Sequence, residues 1–316
     1  MGIRGLTGWI KWAAESAGEP NWTEWSGQRI GIDILGFLYK AKAQKQSPFL
    51  FVIQLIAACK KHNIIPVIIF DGKPPNEKLE ALKHRSAARL ATIATTDLIY
   101  TLSPNTSYLT SDERDIAKQL FYACGVLSLN ATGEADSILA YFSRRGELAA
   151  IISNDLDLLA RGVENLLVPE SYALPGDKSG WIHYRLSVIL RTVEFSYNQF
   201  LEMCVLMGSD YTVGLKSLPY KSAYCSVKYH GTMQLTLSRS CVTDIAPYNR
   251  AFVMLNGSID TVDSLMGEKQ WDKWAAGIPP AEYETLAKFR EIYFPTISDE
   301  DYYTISSVTG LTQNVL

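Results

Sequence analysis

The run Ile64-Ile65-Pro66-Val67-Ile68-Ile69-Phe70-Asp71 decides the fold. An unbroken apolar stretch with no polar alternation predicts a strand buried on both faces, and this one stops on a carboxylate. Two further stretches read the same way. Arg29-Ile30-Gly31-Ile32 ends on Asp33, and Leu148-Ala149-Ala150-Ile151-Ile152 leads into Ser153-Asn154-Asp155-Leu156-Asp157. Helical signals separate them. Buried strands alternating with helices predict an α/β fold built on a mostly parallel, twisted sheet flanked by helices. Open sheets of this kind bind ligands beyond the carboxyl ends of their strands, where Asp33, Asp71 and Asp155 fall.

Further acids sit in short motifs outside these strands. Glu134 and Asp136 lie in Gly133-Glu134-Ala135-Asp136, and Asp210 lies in Gly208-Ser209-Asp210-Tyr211; with Asp157 the set numbers seven. Each acid alone reads equally well as a turn former or helix cap. Gathered at one edge, they would repel one another unless cations stood between them. Oxygen-only ligation selects hard ions, Mg²⁺ with Mn²⁺ as a substitute. Two such ions about 4 Å apart can activate a water and stabilise the leaving oxygen of a phosphodiester.

The same residues carry a resemblance to a known family. Met1-Gly2-Ile3-Arg4-Gly5-Leu6, Gly31-Ile32-Asp33, Phe70-Asp71-Gly72-Lys73-Pro74-Pro75, Gly133-Glu134-Ala135-Asp136, Asp155-Leu156-Asp157 and Met207-Gly208-Ser209-Asp210-Tyr211 occur in the order and spacing of the XPG/Rad2 superfamily. The chain resembles its flap-endonuclease-like, structure-specific 5′ nucleases over about residues 1–230. The resemblance implies a PIN-like 5′ nuclease fold with a helical arch over the site and a C-terminal helical region. It also implies two Mg²⁺ ions. Asp33, Asp71, Glu134 and Asp136 would serve one ion, and Asp155, Asp157 and Asp210 the other, with Asp136 reaching both.

Other roles follow from the resemblance alone. Composition makes Lys78–Arg89 a solvated amphipathic helix, whereas the resemblance makes it the first arch helix, with Lys78 and Arg85 on the scissile phosphate and Arg89 on the strand. Tyr39 is either a core residue or the tyrosine that stacks on a base near the cut. Gly2 would sit beside the metals. After Asp210 the family carries a helix–hairpin–helix whose two glycines expose amides to a duplex phosphate, often with K⁺. Here Ser217 and Pro219 stand in their places, so glycine's freedom and one amide donor are lost. Lys216, Lys221 and Lys228 remain as point charges for phosphate. Asp136, where flap endonucleases carry Glu, resembles the 5′-exonuclease branch, and a compact arch also suits the junction-resolving branch.

Length and charge agree with this reading. The chain has 316 residues and a formal net charge of −3, which becomes mildly basic once the seven acids are neutralised by metal. We expect three regions: 1–100 (including the first arch helix), 101–230 (ending in the degenerate hairpin) and 231–316 (mainly helical). Thr110 with Glu113 predicts a capping box opening a helix whose Ile116, Leu120, Phe121 and Cys124 face the core. No apolar run is long enough to span a membrane, and neither a signal peptide nor a sliding-clamp motif is read. Five cysteines without metal-type spacing predict buried thiols in a reducing compartment. The expected partner is branched or 5′-ended DNA, acted on by a monomer inside the cell, in the nucleus or, for a viral or prokaryotic chain, the cytoplasm. The alternatives are a catalytically silent nuclease-fold interaction protein and an unrelated α/β phosphatase or nucleotide-binding enzyme. No Gly-rich phosphate loop follows any strand to favour the latter.

Overall fold

The computed structural model describes residues 2–13, 18–44, 47–74, 76–78, 83, 109–170, 173–177, 180–215, 218–257, 265–282 and 285. The expected arch residues Arg85 and Arg89, the hairpin residues Lys216 and Ser217, and the sequence beyond residue 285 lie outside the described residues.

A six-stranded sheet forms from β1 (Arg29–Asp33), β2 (Ile65–Phe70), β3 (Leu127–Asn130), β4 (Ala150–Ile152), β5 (Asn165–Pro169) and β6 (Trp181–Arg185) in the order β3-β2-β1-β4-β5-β6. The first five are parallel and β6 is antiparallel, as the α/β reading expects. Alternate side chains feed two cores. Val67 and Ile69 join one and Ile68 and Phe70 the other, which is why β2 reads as continuously apolar. Gly31 is required on β1 because a Cβ there would lie 2.6 Å from Leu139 and 2.7 Å from Ile151. Its absence lets the helix Ala135–Arg144 press onto the sheet.

β1 is the point where strand order reverses, with β2 on one side and β4 on the other. The crevice opens at the carboxyl ends of these strands. Past β2 the chain continues its ladder, as Gly72 N–H donates to Gly133 O at 2.7 Å and Lys73 N–H to Thr132 O at 3.0 Å. This brings Asp71 beside Glu134.

The helix Ser111–Ala123 opens on Thr110 with the reciprocal Thr110–Glu113 capping box, and Leu120, Phe121 and Cys124 are buried. Beyond residue 230 lie the helices Met233–Arg239, Ala246–Asn256 and Glu268–Ala276. The last of these returns to the sheet domain, stacking Trp274 on Phe142 at 4.0 Å between ring centres. The cysteines correct an expectation. Cys59, Cys124 and Cys204 are buried, but Cys225 and Cys241 are exposed. Cys225 lies on the helix Tyr220–His230, which buries only Ala223 and Val227. None of the described helices is long and apolar enough to cross a membrane.

Candidate active site

Asp33 ends β1, and its Oδ2 accepts a hydrogen bond of 3.0 Å from Ser153 Oγ. Ser153 is fully buried just past β4, and its Oγ in turn accepts the Asp155 N–H at 3.0 Å. One hydroxyl therefore ties the acid of the first strand to the acids of the fourth. Asp155 Oδ1 accepts the Asp157 N–H at 2.9 Å, the local bond that starts the short helix Asp157–Ala160. Asp71 Oδ1 accepts the Ala135 N–H at 2.8 Å, so this carboxylate caps the helix that carries Asp136. Asp157 Oδ1 accepts the Ile3 N–H at 2.8 Å. The N-terminal segment is held further by Arg4, whose N–H donates to Gly208 O at 2.9 Å and whose Nη1 donates to Val213 O at 3.1 Å, astride the loop of Asp210.

Electrostatics divide the seven acids. Burial and the charges of Asp71 and Asp155 push Asp33 up to about 7. Burial and Asp155 push Asp157 up to about 7 as well. Asp136 is raised well above the ordinary range by burial and by Asp155 and Asp33. Asp71 is raised by burial, although the Ala135 N–H opposes the shift. Glu134 goes the other way. It is buried, but Lys78 and Arg161 hold it below the usual range. Lys78 Nζ pairs with Glu134 Oε1 and lies 3.3 Å from Asp210 Oδ2. Arg161 Nη2 pairs with Glu134 Oε2 at 3.2 Å.

Among the described residues Lys78 and Arg161 lie against these acids, and burial with mutual repulsion holds Asp33, Asp136 and Asp157 above the ordinary carboxylate range unless further positive charge arrives. Among the described residues, no three of these acids are drawn together tightly enough to hold an ion directly. Hydrated Mg²⁺ suits such a spread arrangement, since it retains several waters and uses only one or two carboxylates. The donor chemistry therefore fits a hard divalent cation.

Of the remaining candidates, Gly2 lies against Asp157. Tyr39 is 40% exposed, because its helix buries Ile34, Leu35, Phe37, Leu38 and Ala41 on the opposite face. It is not a core residue. Pro219 is the N-cap of the helix Tyr220–His230. Lys221 lies over the exposed Trp12 ring, with 5.8 Å between Nζ and the ring centre. Lys228 is exposed and bends back along the surface, where its ammonium meets Val193 O and Glu194 O at 3.2 Å and Glu194 Oε2 at 2.9 Å. It thereby caps the helix Leu186–Val193. Sequence reasoning missed Ser153, Arg161 and the Tyr211 hydroxyl, which donates to Glu134 Oε2. Only Tyr211 had a signal, its place beside Asp210.

Comparison with known proteins fits this geometry. The XPG N-terminal domain matches residues 1–92 and the XPG I-region matches residues 125–210, together more than half the chain. Flap endonuclease 1 of Glycine max is 26% identical over 87% of this chain and 79% of its own length. The probable flap endonuclease 1 homolog of Danio rerio is 28% identical over 67% of this chain and 58% of its own. Flap endonuclease-1 from Methanococcus jannaschii shares the fold with a TM-score of 0.68 at 18% identity, over 95% of this chain and 97% of that one. Human GEN1 in complex with Holliday junction DNA gives a TM-score of 0.66 at 13% identity, over 98% of this chain and 77% of that one.

Proposed function

Because the chain belongs to the XPG/Rad2 family of flap-endonuclease-like nucleases, we propose that it is a divalent-metal-dependent, structure-specific 5′ nuclease. Its substrates are DNA 5′ flaps, free 5′ ends or branched junctions, and its work lies in replication, repair or recombination. The observation that carries this reading is the convergence of five separate acidic motifs at the switch point of the sheet, with more negative charge than Lys78 and Arg161 offset.

Asp33, Asp71, Glu134 and Asp136 would hold one Mg²⁺, and Asp155, Asp157 and Asp210 a second, several of them through the waters the ion retains. Asp136 would reach both, as its strong interaction with Asp155, Asp33 and Asp71 supports. When bound, such a pair of ions supplies an activated water and a counter-charge for the leaving oxygen. Ser153 keeps Asp33 and Asp155 in register, and Ile3 orients Asp157. Lys78, already inside the carboxylate cluster, stands where it can meet a scissile phosphate. Arg85 shares this role with Lys78 on the scissile phosphate, and exposed Tyr39 offers a ring for base stacking. Lys221, Lys216 and Arg89 contact the DNA backbone. The protein acts as a monomer within the cell.

Cleavage of a 5′-labelled flap in Mg²⁺, lost with EDTA, tests the proposal. Product lengths on flap, nicked duplex and four-way junction rank the substrates. Binding of all three without cleavage in Mg²⁺ or Mn²⁺ would leave a silent nuclease-fold DNA-binding protein instead.

A further inference from the structure

Arg161 is the one strongly buried cation among the described residues, 4% exposed, and the chemistry above gives it no part. It follows the short helix that begins at Asp157. One edge of its guanidinium is anchored: Nη1 donates to Ser137 Oγ at 3.1 Å and to Met254 O at 3.2 Å. Met254 lies in the last turn of the helix Ala246–Asn256, where carbonyls lack partners within the helix and the dipole favours a cation. The other edge faces the site. Nη2 donates to Glu134 Oε2 at 3.2 Å and to the Tyr211 hydroxyl at 2.6 Å, and that hydroxyl donates to the same Oε2.

A guanidinium is a rigid planar fork, so fixing one edge fixes the direction of the other. Glu134 Oε2 is therefore held twice, while Oε1 pairs with Lys78, whose ammonium also lies 3.3 Å from Asp210 Oδ2. From this geometry we infer that Arg161 is a positioning residue that locks the Glu134 carboxylate so that Oε1, the oxygen paired with Lys78, is the one presented to a divalent cation, and that it links this lock to the C-terminal helix Ala246–Asn256. The inference rests on the metal-dependent reading above.

The two effects of Arg161 on a cation have opposite signs, which makes them separable. As a buried positive charge it repels the ion; as a lock it improves the ligand. The test is binding of Mn²⁺ alone, without DNA, followed by the electron paramagnetic resonance of free Mn²⁺. The full chain is compared with Arg161→Met, Arg161→Lys and Tyr211→Phe, with circular dichroism and melting as controls on folding. Arg161→Met is expected to bind Mn²⁺ at least about tenfold more weakly despite losing a positive charge. Arg161→Lys, which keeps the charge but not the fork, should fail to restore binding, and Tyr211→Phe should fall between. In a Glu134→Gln background the Arg161→Met change should add little.

Unchanged or tighter binding by Arg161→Met, or full recovery in Arg161→Lys, overturns the inference. If Arg161→Met does not fold, wild-type affinity in both Arg161→Lys and Tyr211→Phe overturns it equally. A wild-type chain that binds no Mn²⁺ overturns the metal reading beneath it instead.

Discussion

The Ile3 amide donates to Asp157 Oδ1 at 2.8 Å, joining the start of the chain to an acid 154 residues away. Gly2 makes this approach feasible: its φ is +94°, and a Cβ there would collide with the Asp157 carboxylate. Gly2→Ala is therefore expected to displace Asp157 and slow flap cleavage by about 100-fold, the scale of a misplaced catalytic group, without unfolding the protein. Wild-type single-turnover rates in that variant would show that Asp157 does not depend on the N-terminal segment.

The charge of Asp155 disfavours ionisation of Asp33, Asp136 and Asp157 alike. Asp155→Asn keeps an oxygen for the Asp157 amide but removes the charge. Cleavage should be abolished, while the metal-free melting temperature holds or rises because repulsion is relieved. Activity within about tenfold of wild type in Mg²⁺, against the larger losses typical of a missing metal ligand, would remove Asp155 from the site.

Lys78, with Arg85, should stabilise charge developing on the scissile phosphate, a role worth about 3 kcal/mol per well-placed donor. The double variant Lys78→Ala/Arg85→Ala should slow single-turnover cleavage strongly and weaken substrate binding much less. The reverse pattern, weak binding with an intact chemical rate, would make both residues simple backbone contacts.

Pro219 offers no amide at the start of the helix Tyr220–His230. Affinity for a flap substrate should therefore change little when K⁺ replaces Na⁺ at equal concentration, and should depend steeply on total salt through Lys216 and Lys221. Lys228→Ala should cost stability more than affinity, since its ammonium serves the end of the helix Leu186–Val193. A several-fold preference for K⁺ would show a working cation site in the hairpin.

His183, remote from the acids, supplies a pH signature. Burial, reinforced by Arg185 and opposed by Glu24, lowers it to about 4, and its Nε2 lies 3.1 Å from Asn165 Oδ1. The unfolded chain binds this proton near pH 6.5 and the folded chain does so only near 4. Stability is thus full above the unfolded value and is lost as pH falls between the two, by up to about 3 kcal/mol. Because Asp33 and Asp157 gain stability over the same range, the measurement is the difference between wild type and His183→Gln in chemical denaturation, which should shift against wild type as pH falls from about 7 to about 5.

The elements legible in the sequence are those that local chemistry decides. Continuous apolar runs specify doubly covered strands, and strands alternating with helices specify a parallel sheet, so the ends of β1, β2 and β4 and the acids there could be placed from residue order. The Thr110–Glu113 box is likewise a matter of three-residue spacing. What only the tertiary structure decided is which polar groups were buried and what they met. Arg161, in Leu158-Leu159-Ala160-Arg161-Gly162, carries no mark of burial, because its partners Glu134 and Ser137, Tyr211, and Met254 come from three other segments. Cys225 carries no mark of exposure, and Lys228 none of its pairing with Glu194. A side chain's own type fixes the cost of removing it from water, but distant segments decide whether it is removed and whether a partner offsets that cost.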